Sequence, residues 1–82
     1  MDMQQEEIVS YLQVAHSLWT EGTLNGEEID SYIDEIPHDM SIVDYKRQTI
    51  KFIYKDDWYP TLIFIHGDGR VTVTHDIDYD RS

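Results

Sequence analysis

The segment 25–37 holds the residues whose types and spacing point most directly to a chemical role. Its carboxylates are Glu27, Glu28, Asp30, Asp34 and Glu35, and it contains neither Lys nor Arg. On a helix, Glu27, Asp30 and Asp34 follow one line at steps of roughly 5–6 Å, and like charges so placed repel by roughly 0.2–0.5 kcal/mol per pair. A basic partner would relieve this repulsion, and the steps resemble the several-Å scale of phosphates along a nucleic-acid strand. The row therefore predicts a surface that binds a basic protein, with a merely solvated helix face as the alternative.

Other residues that support catalysis or metal binding form no recognisable motif. The histidines, at positions 16, 38, 66 and 75, are not spaced as zinc ligands. Asp76, Asp78 and Asp80 resemble the start of an EF-hand loop, but Arg81 stands where that loop needs glycine. There is no cysteine, no nucleophile motif and no phosphate-binding loop. The sequence thus predicts a protein that is not an enzyme and that has no metal or cofactor.

The charge of the chain is unevenly distributed. Of the 82 residues, 17 are Asp or Glu and 6 are Lys or Arg, which gives a net charge of −11. Residues 1–45 contain no Lys or Arg, so the whole acidic excess lies in the first half. Such a field repels nucleic acid and anionic membranes and attracts basic proteins. The acidic N-terminus does not resemble a secretory signal, and no apolar run approaches the roughly 20 residues of a membrane span. A soluble, cytoplasmic protein that binds neither membranes nor nucleic acid directly is expected.

The basic residues of the second half lie close to aromatic side chains. Lys46, Arg47, Lys51 and Lys55 accompany Tyr45, Tyr54 and Trp58. Such interleaving can bind single-stranded nucleic acid, but the acidic field of the chain opposes it. The preferred interpretation is that these lysines protect an edge strand from pairing and form salt bridges to the acidic half.

Two helices are predicted from apolar residues that recur at helical spacing. The first covers residues 4–20, and its apolar side carries Ile8, Tyr11, Leu12, Ala15, Leu18 and Trp19. The second covers residues 26–36, with a stripe of Ile29, Tyr32, Ile33 and Ile36. Asn25 and Glu28 form a capping box at its start, and Pro37 ends it.

Three strands are predicted after residue 46, at 47–55, 61–66 and 70–77, with 78–82 as a tail and 38–45 as a connector that includes at most a short strand. Asp68 and Gly69 suit a two-residue type I′ turn, which would pair Phe64 with Val73. The whole chain, residues 1–82, is then a single α+β domain. Its two N-terminal helices pack on one face of a three-stranded antiparallel meander.

In this register one sheet face lacks a covering helix. It carries Ile53, Ile63 and Ile65, and three exposed isoleucines imply either a cover by the segment 38–45 or a homodimer interface. Association through this face, as a homodimeric structural or regulatory protein or as a toxin-neutralising immunity protein, is the alternative function.

The preferred function is inhibition through protein binding. The acidic face of the second helix would occupy the basic groove of a nucleic-acid-binding protein or nuclease complex. Tyr32, Trp58 or Tyr59 would be contact anchors. Small, acidic, cysteine-free single domains of this kind resemble, as a class, phage-encoded anti-defence proteins such as anti-CRISPRs and DNA mimics, and toxin-neutralising immunity proteins. The resemblance is one of size and charge and carries over no residues; it implies a cytoplasmic location, in the host cell if the protein is phage-encoded.

Overall fold

Two helices cover one face of a four-stranded antiparallel sheet in the computed structural model, which describes residues 4–56 and 59–75. In chain order the elements are α1 (Gln5–Thr20), α2 (Gly26–Asp34), β1 (Met40–Asp44), β2 (Thr49–Asp56), β3 (Tyr59–Ile65) and β4 (Val71–His75). The strands lie in the order β1-β2-β3-β4. The α+β class is confirmed, and the number of strands was wrong. The predicted tail 78–82 lies outside the described residues.

Both helices form where the apolar pattern predicts them, because each buries its stripe on the sheet. Ile8, Leu12 and Ala15 of α1 are buried, as are Ile29 and Ile33 of α2. The capping box of α2 has both of its hydrogen bonds. The Glu28 N–H donates to Asn25 Oδ1 at 2.9 Å, and the Asn25 N–H donates to Glu28 Oε1 at 2.9 Å. The helix ends at Asp34, two residues before the predicted end. No helix among the described residues is long and apolar enough to cross a membrane.

Segment 40–44 pairs with β2 as an edge strand and does not lie over the sheet as a cover. The pattern concealed this strand because Met40 and Ile42 are on the face away from the helices and remain 40% and 51% exposed. Since β1 occupies one side of β2 and β3 the other, β2 is an interior strand. The interpretation of Lys51 and Lys55 as protection for an edge strand was therefore wrong.

The hairpin between β3 and β4 has a longer loop than the predicted two-residue turn. The His66 N–H donates to the Arg70 carbonyl at 2.8 Å, and the Gly69 N–H donates to the His66 carbonyl at 2.9 Å. These bonds close a three-residue turn, and its last residue, Gly69, has a φ of +94°, a backbone conformation that favours glycine. Ile65 consequently pairs with Val71, and Phe64 pairs with Thr72 instead of Val73. The predicted register between β3 and β4 was wrong by one residue. A slip of one residue moves the side chains of a strand from one face of the sheet to the other.

The reversal places two of the predicted dimer-face isoleucines in the core. Ile63 and Ile65 are fully buried under the helices, whereas Ile53 lies on the opposite face. The core comprises Ile8, Leu12, Ala15 and Trp19 of α1, Ile29 and Ile33 of α2 with Ile36 beyond it, Ile50, Phe52 and Tyr54 of β2, and Ile63 and Ile65 of β3. The face without a helix, called the open face below, carries Met40, Ile42, Lys51, Ile53, Lys55, Leu62, Phe64, Thr72 and Thr74.

The β1–β2 and β3–β4 turns meet at one end of the sheet, beneath α1. His16, which is 4% exposed, bonds through Nε2 to the carbonyl oxygen of Gln48 at 2.8 Å. Gln48 has a φ of +53°. A Cβ placed on Gly67 would lie 2.8 Å from the carbonyl oxygen of Arg47, so the two turns approach backbone to backbone. These contacts fix the β1–β2 turn, which in turn positions Tyr45.

Candidate partner-binding surface on the helix layer

The carboxylates of the predicted row differ in what they do within the fold. Glu27, Asp34 and Glu35 are exposed, and Asp30 is half-buried. Glu28 is also exposed, but its carboxylate accepts the N–H of Asn25 and so helps to start the helix. The row is therefore displayed on the outside of α2, opposite the buried Ile29 and Ile33.

Little positive charge compensates this row within the described residues. The carboxylates of Glu27 and Glu35 have no hydrogen bond or ion pair there. The carboxylate of Asp34 has only His38, whose Nε2 lies 4.0 Å from Asp34 Oδ1. Among the side chains of residues 4–55 and 60–75, the salt bridges of Lys or Arg are Arg47 with Asp44 at 3.9 Å and Arg70 with Asp68 at 2.8 Å. Within the same residues the lysines form no salt bridge with the acidic half, contrary to prediction.

The C-terminal end of α2 carries carboxylates where the helix dipole disfavours them. Asp34 is the last helical residue, Glu35 is the C-cap, and the last turn has no basic residue. Anions at this end of a helix lie near its partial negative charge, which costs on the order of 0.3–1 kcal/mol each at an exposed site. Helix stability therefore does not account for the acidic residues at this end.

Tyr45 braces the start of α2 from the β1–β2 turn. Its hydroxyl donates a hydrogen bond to Asp30 Oδ2, and its ring lies edge-to-face with Trp19 at 6.2 Å. A Cβ on Gly26 would lie 3.2 Å from the Tyr45 ring, so glycine permits this close packing. The hydrogen bond to Asp30 raises the pKa of Tyr45, with smaller contributions from burial and from the charges of Asp30 and Glu27.

A shallow groove between α1 and α2 combines aromatic rings with carboxylates. Its lining residues are Tyr11, Leu24, Glu27, Glu28, Ser31, Tyr32 and Glu35. The rings of Tyr11 and Tyr32 are 5.0 Å apart. Burial raises the pKa of Tyr11, as do Tyr32 and Glu35 beside it. Arginine and lysine side chains are attracted both by aromatic faces and by carboxylates, so this groove matches the chemistry of a basic partner.

The structure places the predicted contact anchors differently. Tyr32 is half-buried against Tyr11 and lines the groove. Trp58 lies outside the described residues, and Tyr59 begins β3. Ile53 is on the open face, away from Ile63 and Ile65.

The structure also adds residues that the sequence did not place at this surface. Tyr11 was predicted only as part of the apolar pattern of the first helix, and Tyr45 was named only as an aromatic neighbour of the basic residues.

Metal-binding geometry is absent from the part of the chain that the structure describes. No three His, Asp or Glu side chains converge there. The aspartates of the EF-hand-like segment, Asp76 to Asp80, lie outside that part.

Comparison of the chain with protein-family models, with curated protein sequences and with solved structures gives no match.

Proposed function

We propose that this protein is a non-enzymatic inhibitor that binds a basic protein through the acidic outer surface of α2. The partner is a nucleic-acid-binding protein or nuclease complex, and the acidic surface occupies the groove that its nucleic acid would fill. The proposed setting is the cytoplasm, that of a host cell if the protein is an anti-defence protein of a phage.

One observation carries this proposal: Glu27 and Glu35 flank an aromatic groove, and their carboxylates have no hydrogen bond or ion pair among the described residues. Exposed carboxylates without compensation steer basic partners and add specificity at the interface. Because no Lys or Arg precedes residue 46, no basic side chain of the helices competes for them.

The partner's basic side chains have two kinds of contact available on this surface. The row of Glu27, Asp30 and Asp34 offers charge at steps of roughly 5–6 Å. The rings of Tyr11 and Tyr32 offer apolar area beside Glu35, which suits an arginine that is partly removed from water. Displacement of nucleic acid follows, because both ligands require the same basic groove.

The test is affinity capture on the immobilised chain from a bacterial lysate treated with nuclease, followed by elution with duplex DNA. A captured nucleic-acid-binding protein that DNA displaces is the expected result. The Glu27→Lys/Glu35→Lys double variant should then bind that protein at least tenfold more weakly, which corresponds to about 1.4 kcal/mol.

The matched control is Glu6→Lys/Glu21→Lys, which changes the net charge equally on α1, away from the row. It should retain binding within about threefold, or about 0.65 kcal/mol. Equal losses in both double variants would attribute binding to the net charge alone. Unchanged binding by the first variant would mean that the acidic surface is not the interface.

A further inference from the structure

The open face combines apolar and cationic side chains in two neighbouring rows. One row across the strands consists of Ile42, Lys51, Phe64 and Thr72, and the next of Met40, Ile53, Leu62 and Thr74. Leu62 and Phe64 are half-buried, and Met40 and Ile42 are among the most exposed large apolar side chains of the described residues. Ile53, which lies between Met40 and Leu62, is only 3% exposed. No helix or strand among residues 4–56 and 59–75 covers these rows.

Around Ile53 the charge of the open face is positive, opposite to that of the helix layer formed by α1 and α2. Asp44, at the end of β1 on the same face, is paired with Arg47 at 3.9 Å. Lys51 and Lys55 lie on the same side of the interior strand β2, on either side of Ile53. Neither lysine has an ion pair with a described residue. Positions 51 and 55 are four residues apart and are therefore separated by roughly 13 Å along the strand, with the apolar Ile53 between them.

We propose that the open face binds an amphipathic helix of a partner protein. This helix carries two carboxylates, at positions i and i+7, and two apolar residues between them, at i+3 and i+4. Residues i and i+7 lie on one side of a helix, roughly 10.5 Å apart. The flexible lysine side chains make up the difference between this distance and the roughly 13 Å that separates the two lysines along β2. The apolar pair at i+3 and i+4 then contacts Met40, Leu62 and Phe64, which surround the buried Ile53.

The size of the open face favours one helix as the occupant. Four strands are roughly 15 Å from first to last, and five residues along a strand cover roughly 16 Å. A helix of about three turns has this length and a diameter of roughly 10–12 Å. A stable protein dimer buries about 800 Å² on each partner, which exceeds what a face of this extent offers.

A second copy of the chain fits the open face poorly. Two open faces packed together would bring Lys51 and Lys55 of both copies into contact, and like charges at an interface disfavour association. The outer surface of α2 does not have the required pattern either, because Glu27 and Asp34 bracket Asp30 and Ser31, which are polar. The net charge of −11 adds repulsion between copies.

The test uses a synthetic, fluorescein-labelled 18-residue helical peptide with Glu at i and i+7 and Leu at i+3 and i+4. Fluorescence anisotropy measures its affinity for the full chain, and NMR chemical shifts of the chain locate the contact. We expect binding that weakens as salt rises, with the largest shifts at Ile53, Leu62 and Phe64. A peptide with Lys in place of both Glu should bind at least tenfold more weakly.

Charge exchange provides the decisive comparison. Lys51→Glu/Lys55→Glu should bind the Lys peptide better than the Glu peptide, and circular dichroism should show an unchanged fold. The matched control, Lys46→Glu/Arg47→Glu, changes the charge equally in the β1–β2 turn and should keep the wild-type preference. Equal affinity of both peptides for the wild type, or shifts confined to the helix layer, would overturn the proposal.

This inference is independent of the proposed function of the helix layer. Glu27→Lys/Glu35→Lys should bind the Glu peptide at least as well as the wild type does, even though it loses the basic partner. Loss of peptide binding in that variant would place the peptide on the helix layer and contradict the proposal. A concentration-dependent dimer in sedimentation, abolished by Phe64→Lys, would assign the open face to a second copy instead.

Discussion

The hydroxyl of Tyr45 donates a hydrogen bond to the carboxylate of Asp30, and this contact joins the β1–β2 turn to α2 across 15 positions of sequence. The ring of Tyr45 also lies edge-to-face with Trp19, and a Cβ on Gly26 would lie only 3.2 Å from it. Because Asp30 is in the middle of the carboxylate row, Tyr45 sets how the row is oriented relative to the sheet. It is a positioning residue for the proposed interface.

Tyr45→Phe should lower the free energy of unfolding at pH 8, because the hydroxyl of Tyr45 is removed and Asp30 loses its donor. The hydrogen bond to Asp30 raises the pKa of Tyr45 above its ordinary value near 10. Its stabilisation is therefore complete below the unfolded-state pKa and is lost as the pH rises through the folded-state pKa. Urea unfolding of both proteins at pH 8 and at pH 11 measures this. A difference between them that stays constant over this range would contradict the role assigned to the hydrogen bond.

His16→Ala should lower the free energy of unfolding by about 1–3 kcal/mol, the cost of leaving a buried hydrogen-bonding group without its partner. His16 is buried, and its Nε2 bonds to the carbonyl oxygen of Gln48, whose positive φ is otherwise unfavourable. Urea denaturation provides the measurement. Val14→Ala, on the exposed side of the same helix, should change stability by less than about 0.5 kcal/mol. Equal effects of both substitutions would show that His16 does not anchor the turn.

Two glycines of the β3–β4 turn should respond differently to the same substitution. Gly67→Asn places a Cβ 2.8 Å from the Arg47 carbonyl oxygen, and such overpacking costs about 1–3 kcal/mol. Gly69 has open space around the Cβ position and a positive φ, which asparagine adopts more readily than most residues. Gly69→Asn should therefore be the more stable of the two variants in thermal unfolding. The opposite order would mean that the turns do not approach each other at Gly67.

The helices could be predicted from the sequence because their determinants are local. The apolar stripes repeat every three or four residues, and Asn25 and Glu28 are close enough in sequence to be recognised as a capping box. The carboxylate row follows directly from the position of α2, so this part of the candidate site could also be predicted from the sequence. Tyr45 was not, because its contact with Asp30 depends on how a turn folds back over a helix.

The sheet was predicted incompletely because the pairing of β3 with β4 shifts by one residue when the turn between them is one residue longer. Asp68-Gly69 suits a two-residue turn, but Gly67 is inside the loop, where it meets the Arg47 carbonyl of a distant turn. That contact has no signal in the sequence of the hairpin itself. The segment 38–45 was predicted as a connector with at most a short strand, and β1 was not counted in the sheet because its exposed Met40 and Ile42 do not mark a buried side.

The observed register predicts that truncation of Ile63 lowers the free energy of unfolding more than truncation of its neighbour Leu62 in β3. Ile63→Ala should lower the free energy of unfolding by about 2–5 kcal/mol, because Ile63 is fully buried between the sheet and the helices. Leu62→Ala should cost less, since Leu62 is half-buried on the open face and truncation there leaves no enclosed cavity. Urea unfolding of both variants gives the comparison, and the two-residue turn would require the reverse order. Leu62→Ala should also weaken binding of the Glu peptide to the open face, and a folded Leu62→Ala variant with unchanged affinity would remove Leu62 from that contact.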